Sequence, residues 1–251
     1  MTLSDALKLA EFAQKVEVFT GAGMSAESGI QTYRDDTTGL WENIDPQAMA
    51  SISAWIHDPE PMWAWYLWRT HLASNAEPNA GHYALARWAS ISDVHITTQN
   101  IDNLHERAGS PAVAHLHGSL FAWRCTICAR PYRNVEAINT PIERLTPPNC
   151  PLCGNYIRPG VVWFGEALPQ REWTTAETHI SNADLLVIVG TSGVVQPAAS
   201  LPLIAVNLGI PILEISPADT ELTGIANYSW RATAATALPE LVDALEYRVQ
   251  P

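Results

Sequence analysis

The stretch Val18–Arg34, VFTGAGMSAESGIQTYR, constrains the fold more than any other part of the chain. A β-prone run ends abruptly at Gly21-Ala22-Gly23 and gives way to residues suited to a helix start. A strand that enters G-x-G-x-x-A and then a helix is a nucleotide-binding turn. Gly21 permits the sharp turn, Gly23 lets backbone approach a pyrophosphate, and Ala26 is small enough for close helix–strand packing. Amides freed at the helix N-terminus then face the phosphates. A purely structural glycine turn is the competing reading. The acidic residue that usually holds a ribose about 20 residues further on is not evident. Asp35 and Asp36 come too early, and Glu42 and Asp45 lie where no strand is indicated. A dinucleotide site here is therefore not of the ordinary dehydrogenase kind.

Strand-like runs recur at Val94–Thr97, Val113–His117, Val161–Phe164, Asp184–Gly190 and Pro211–Ile215, with a short closing strand near Ser229–Ala232. Helical patterns alternate with them. Leu3, Leu7, Ala10 and Phe12 mark a first helix; Asp45–Leu72, Asn79–Ala89, Asn103–Ala108, Glu172–Asn182 and Ala198–Leu208 follow, and Pro239 opens a last one. Asp35–Trp41 reads as a mobile loop. This alternation argues for an α/β fold with a doubly wound parallel sheet.

With 251 residues, 47% of them hydrophobic, the chain can bury roughly 70–75% of its unfolded surface. That permits one large core and a smaller module. A net charge of −12 without a Lys/Arg stripe argues against a general grip on nucleic acid. The start, MTLSDALKLAEFAQK, is amphipathic rather than leader-like. The longest apolar stretch, Ala198–Leu213, is broken by Pro202, Asn207, Gly209 and Pro211, short of the roughly 18 residues that span a bilayer. The expectation is a soluble, cytoplasmic protein with no membrane or nucleic-acid partner; the sequence leaves the oligomeric state open.

All four cysteines fall in one segment, as Cys125-x-x-Cys128 and Cys150-x-x-Cys153. Two such knuckles describe a tetrahedral site for one structural Zn2+ with four thiolate ligands. Residues 129–149 carry four prolines and few apolar residues, so a metal staple has a purpose. Two disulfides, or a redox pair, are the poorer alternatives: no leader is evident and neither knuckle opens a helix after a strand. The Trp-rich and Cys-rich parts read as two insertions. The expected division places 1–34, 86–120 and 161–251 in the dinucleotide-binding domain, and 35–85 and 121–160 in a smaller helical and zinc-binding domain.

The glycine turn, the knuckles, Thr98–Asp102 (TQNID) and His115–Ser119 (HLHGS) occur together in one chain. That combination resembles the sirtuin family of NAD-dependent protein lysine deacylases, bacterial type. GAGMSAESGI, Phe164–Glu166, Gly190–Ser192 and Val194–Pro202 match further family positions, so the resemblance covers nearly the whole chain. It implies a Rossmann domain, a zinc-and-helix domain, and NAD bound between them as a consumed co-substrate. It also implies a mechanism. The acyl-lysine oxygen displaces nicotinamide from the ribose, a histidine takes a proton from a ribose hydroxyl, and the products are nicotinamide, lysine and O-acyl-ADP-ribose. The general base corresponds to His117, and Asn100 corresponds to the residue that orients the ribose. The resemblance puts the cofactor against Gly21, Ala22, Gly23, Ala26, Glu27, Tyr33, Arg34, Gln99, Asn100, Ile101, Asp102, Gly190, Thr191, Ser192, Ser216 and Ala234. Among these, Asp102 and Ile101 correspond to the residues that hold the nicotinamide carboxamide. Tyr33 stands where many members have Phe, and Ser216 where members usually have Asn.

Acyl-lysine protein substrates would pair with the strand edge at Val161–Gly165, including Val161, Phe164 and Gly165. Tyr66 and Arg69 are spaced i, i+3, on one helix face. Alone, the pair reads as an aromatic core stripe with a snorkelling arginine. In this family such a Tyr-x-x-Arg resembles the class that removes succinyl and malonyl groups, since a guanidinium and a phenol can bind a distal carboxylate. A plain deacetylase, an ADP-ribosyl transferase or NAD hydrolase, and a non-catalytic NAD or zinc-ribbon module are the alternatives.

Overall fold

A computed structural model describes residues 3–30 and 49–249. Tyr33, Arg34, the loop Asp35–Trp41, and the residues Glu42 and Asp45 lie outside the described residues. The main sheet contains β1 (Lys15–Thr20), β2 (Asp93–Thr98), β3 (Val113–His115), β7 (Leu185–Val189), β8 (Ile212–Ile215) and β9 (Tyr228–Trp230). All its pairings are parallel, in the order β3-β2-β1-β7-β8-β9. This is the expected doubly wound arrangement. The order reverses between β1 and β7, so their carboxyl ends form the crevice where such sheets bind ligands.

Strand alternation divides the side chains between two cores. Val16, Val18, Val94, Ile96, Leu185 and Val187 face α1 (Leu3–Ala10), α4 (Ala80–Trp88) and α8 (Ala234–Val249). Phe19, Leu186, Ile188 and Ile212 face α6 (Gln170–Asn182) and α7 (Pro202–Leu208). Asn79 starts α4 with a capping box: its side chain accepts from Gly81 and His82, and His82 Nδ1 accepts from the Asn79 amide.

The second sheet is antiparallel, β5-β4-β6, built from β4 (Gly118–Cys125), β5 (Pro131–Tyr132) and β6 (Ile157–Val161). It packs with α2 (Ile52–His57) and α3 (Pro59–Asn75) around Trp55, Trp63, Trp65, Tyr66 and Trp163. The short α5 (Leu104–Arg107) follows β2.

Several elements differ from the sequence expectation. After Gly21 the chain makes two short 3-10 turns, Ala22–Met24 and Ala26–Ser28, rather than a helix. Gly29, left-handed at φ 80°, stops the second. Phe12 lies beyond α1 and is 81% exposed. The third strand ends at His115, because Gly118, at φ 71°, redirects the chain into the antiparallel β4. Val161 closes β6 rather than opening a strand toward Phe164. Ala198–Leu208 divides into a 3-10 turn and α7, which starts at Pro202. The last helix starts at Ala234, with Pro239 inside it near the amino end, where the alanine-rich first turn favours helix.

Candidate active site

The glycines of the first turn are required by packing. A Cβ on Gly21 would lie 2.7 Å from the Thr191 Cβ, and one on Gly23 2.8 Å from the Gly190 Cα. Gly190 is itself left-handed at φ 59°, and its amide is bonded to Ile215. Gly21 donates to Val189 and Gly23 to Gly190, at 3.0 and 2.8 Å. Three side-chain-free positions thus let the ends of β1 and β7 touch at the switch point. Gly21 is extended (φ −130°), so its need for glycine comes from this contact and not from a sharp turn. Ala26 is exposed and does no helix–strand packing.

Beside this turn sits a buried polar network. The Ser25 hydroxyl donates to Asp102 Oδ2 (3.0 Å) and accepts from Asn100 Nδ2 (3.1 Å). Asp102 Oδ1 accepts the Leu104 amide at 3.1 Å. Burial raises the Asp102 pKa, against the lowering effect of the Leu104 amide and the Ser25 hydroxyl. The Ile101 carbonyl is held by the Leu120 amide. Gln99 Nε2 donates to Thr191 Oγ1 at 2.8 Å, joining the β2 and β7 loops.

His117 stands just past β3. Its Nδ1 is 2.9 Å from the Gln99 carbonyl. A carbonyl only accepts, so Nδ1 carries the proton and Nε2 keeps its lone pair. Burial lowers the His117 pKa, partly offset by the Gln99 bond. The ring is therefore a neutral base at pH 7 with a fixed tautomer. His115, two residues earlier, does the same for the next carbonyl: Nδ1 is 3.0 Å from Asn100 O, and Nε2 is 2.6 Å from Glu106. Burial lowers the His115 pKa, but Glu106 outweighs it and the net shift is upward.

The remaining candidates fall in different places. Ser192 follows Thr191 at the end of β7. Ser216, past β8, donates to Ala218 O at 2.7 Å within its own turn. Glu27 accepts the Ala235 amide at 3.2 Å at the amino end of α8. Ala234 is buried where α4 begins, its carbonyl 2.8 Å from where a Gly81 Cβ would be.

The segment after β6 is pinned from several sides. Val162 donates to His117 O and Phe164 to Ala50 O, at 2.8 and 2.9 Å. Trp163 donates its amide to Glu166 Oε2 at 2.8 Å. Gly165 is left-handed (φ 90°) and Phe164 is 44% exposed. Arg158, fully buried, bonds both Glu166 oxygens at 2.5 and 2.8 Å and the carbonyls of Val161 and Pro159. Its guanidinium lies 3.3 Å from the Trp163 ring centre. The Trp163 indole in turn donates to the Tyr66 hydroxyl at 3.1 Å.

Tyr66 is 1% exposed. The Arg69 guanidinium lies 4.8 Å from the Trp65 ring and 5.8 Å from the Tyr66 ring. The two residues therefore do share a face of α3. Ser25, His115, Glu106 and Arg158 are the site residues that the motif reading passes over. Ser25 sits inside the glycine signature, and His115 inside HLHGS. Nothing in the local sequence marks Arg158 or Glu106, because their partners are distant or on other elements.

The four cysteines converge at the far end of the small sheet. Their Sγ atoms all lie within 4.8 Å of one another. Cys125–Cys153 and Cys128–Cys150 are 3.4 and 3.7 Å apart, and all four are free. A disulfide needs about 2.05 Å, whereas two thiolates on one tetrahedral ion with bonds of about 2.3 Å sit nearly 4 Å apart. The set fits a metal ion and not a pair of disulfides.

The model of the Sir2 family matches residues 21–197. The chain is 61% identical, over 97% of its length and 98% of the relative's, to an NAD-dependent protein deacylase 2 of Corynebacterium efficiens. A crystal structure of a Sir2 homolog–NAD complex superposes with a TM-score of 0.89 at 43% identity, covering 98% of this chain and 94% of that one. A Sir2 complex with deacetylated p53 peptide and 3′-O-acetyl ADP ribose reaches 0.81 at 30% identity, covering 97% and 98%. The chain, with its glycine-lined switch point, tautomer-locked His117 and convergent cysteines, belongs to the Sir2 family.

Proposed function

We infer that this chain removes succinyl and malonyl groups from lysine, and accepts acetyl as well. It is an NAD-dependent protein lysine deacylase, acting on acyl-lysine protein substrates with NAD as co-substrate. The observation that carries the chemistry is the Nδ1–Gln99 bond of His117. It leaves Nε2 as the acceptor of a ribose hydroxyl proton beside the Ser25–Asn100–Asp102 network. In this reading Asn100 orients the ribose, Asp102 and Ile101 read the nicotinamide carboxamide, the turn from Gly21 to Glu27 meets the diphosphate with Arg34, and Tyr33 takes the place over the reacting nicotinamide. Gln99, Gly190, Thr191, Ser192, Ser216 and Ala234 line the rest of the dinucleotide path. The amides of Val162, Trp163 and Phe164 and the carbonyls of Val161 and Trp163 are already bonded, so a substrate strand at Val161–Gly165 would pair through the backbone groups that remain, such as the Val162 carbonyl and the Gly165 peptide.

The acyl assignment rests on Tyr66 and Arg69 sharing a face above the Trp163 segment. The Tyr66 oxygen accepts from the Trp163 indole, so the phenol would act on a carboxylate through its own O–H. A fork-shaped guanidinium beside it suits a terminal carboxylate. The cysteine quartet holds one Zn2+, whose four thiolates leave no open position for catalysis. The domain division at 1–34, 86–120 and 161–251 against 35–85 and 121–160, and a cytoplasmic location, belong to the same proposal.

The test is peptide kinetics with mass spectrometry of the products. Wild type with NAD and succinyl-peptide should yield O-succinyl-ADP-ribose, and His117→Tyr should lose this by about 10²–10⁴-fold. Arg69→Met should lower the succinyl-to-acetyl ratio of kcat/KM by at least about tenfold, on the loss of one charge-assisted contact. An unchanged ratio would make Arg69 structural and the enzyme a plain deacetylase.

A further inference from the structure

The strand that carries the glycine turn has an unusual residue at its other end. Glu17 sits on the β1 face that otherwise buries Phe19, and it is 1% exposed. Neither of its carboxylate oxygens has a hydrogen-bond partner. The Thr97 hydroxyl faces it without closing a bond of normal geometry. A carboxyl buried this way is costly unless something compensates it. Glu17 forms the floor of an open cavity of about 210 Å³ lined also by His95, His179, Asp93, Asn182 and Lys15.

Three elements bring the side chains together. Glu17 and His95 are register partners on β1 and β2, so their side chains stand next to each other on one face. His179 comes down from the last turn of α6, with Nδ1 3.7 Å from Glu17 Oε2. The two imidazoles lie against each other, ring centres 3.9 Å apart. Asp93 Oδ1 is 3.7 Å from His95 Nδ1.

We propose that this pocket binds a divalent transition-metal ion through Glu17, His179 and His95, with Asp93 behind His95. The floor and walls present imidazole nitrogens and a carboxyl group whose pKa burial pushes up to about 8, so an entering cation would displace the Glu17 proton and supply the partner that the buried group lacks. Mixed nitrogen and oxygen donors favour zinc or nickel over magnesium or calcium. Two ligands on one ion with bonds of about 2.1 Å are roughly 3.4 Å apart, close to the Glu17–His179 spacing. Asp93, with its Oδ1 3.7 Å from His95 Nδ1, stands on the side from which carboxylates back ligating histidines, and a small closure onto Nδ1 would leave Nε2 for the ion. Among the described residues the cysteines are the set whose donors already lie within 4.8 Å. Here Glu17 and His179 are in place, and rotation of the His95 ring, 29% exposed, closes the set. The pocket opens at the amino end of β1, opposite the carboxyl end that carries His117's neighbours, and the deacylation chemistry does not use it.

The experiment is equilibrium dialysis of the tag-free holoenzyme against micromolar zinc, with metal counted per chain. Wild type should hold one zinc beyond the one held by the cysteines and gain several degrees in Tm. Glu17→Gln and His179→Asn should each lose the second ion and the Tm gain, and His95→Asn should bind it at least tenfold more weakly. Deacylase activity reports that each variant is folded. A single zinc in wild type, or a second zinc that survives both Glu17→Gln and His179→Asn, overturns the proposal.

Discussion

The two sheets are held in opposite ways. The parallel sheet is stabilised by apolar area spread over many aliphatic side chains on both faces. The antiparallel sheet has three short strands and adds a few focal groups to its Trp-rich core. These are the cysteine quartet, the Arg158–Glu166 pair, and the stack of Trp55, Tyr66 and Trp163. Losing one aliphatic contributor leaves a cavity in the parallel core, whereas losing a focal group strands its charged or ligating partners. The segment proposed to face peptide and the acyl-pocket candidates lie on the focally held side, so changes there should reach function before global stability.

The largest effect should come from removing the metal. Chelation, or Cys150→Ser, withdraws on the order of 10 kcal/mol of binding free energy from the proposed zinc site, whose intervening segment 129–149 carries few apolar residues of its own. Deacylation should fall by at least about 100-fold, while the far-UV signature of the parallel sheet persists. Retained activity would mean that the small sheet stands without the ion.

Arg158→Met comes next. It strands the Glu166 carboxylate, which Arg158 holds below its usual pKa despite the raising effect of burial, at a cost of about 3–5 kcal/mol. It should raise the KM for peptide. Leu186→Ala, in the parallel core, should cost a similar 2–5 kcal/mol yet leave that KM unchanged. Equal behaviour of the two variants would erase the contrast.

A pair of histidines is among the polar groups buried beside the parallel sheet. His82 and His105 meet edge-to-face at 4.9 Å. Burial pushes the His82 pKa down to about 4, and that of His105 well below the usual value. The unfolded chain therefore binds more protons than the folded one below the unfolded pKa of about 6.5. Stability is complete above that pH and falls as pH drops from 6.5 toward 4, by about 2–3 kcal/mol for His82. His82→Gln, which can still close the capping box, should flatten the slope of denaturation midpoint against pH in this window. An unchanged slope would place the acid sensitivity elsewhere.

The smallest effect belongs to Tyr66→Phe. It leaves the buried Trp163 indole without its acceptor, at about 1–2 kcal/mol. Succinyl turnover should drop more than acetyl turnover, which kcat/KM on paired peptides would read. A parallel drop in both would assign Tyr66 to packing alone.

Local patterns in the sequence were sufficient for the parallel sheet and the cysteine ligand set. Strand alternation and apolar runs specify burial wherever a strand is covered on both faces, and a thiolate quartet declares itself by spacing. Pro239 misled about the start of the last helix: it lies in the second turn and gives up one bond, to the Ala235 carbonyl, while the alanine-rich turn before it sustains the helix. Strand ends were misplaced where a left-handed Gly118 or the close of β6 at Val161 interrupts a β-prone run. The motifs of the resemblance pointed to His117, but the tautomer that makes it a base depends on the Gln99 carbonyl reaching it from another strand. The Ser25–Asn100–Asp102 network, the Arg158–Glu166 clamp, and the meeting of Glu17 with His95 and His179 were decided only by tertiary structure. Each joins residues far apart in the chain or on separate elements, and a hydrogen bond or ligand set is specific to distance and direction, which residue type and spacing alone do not carry.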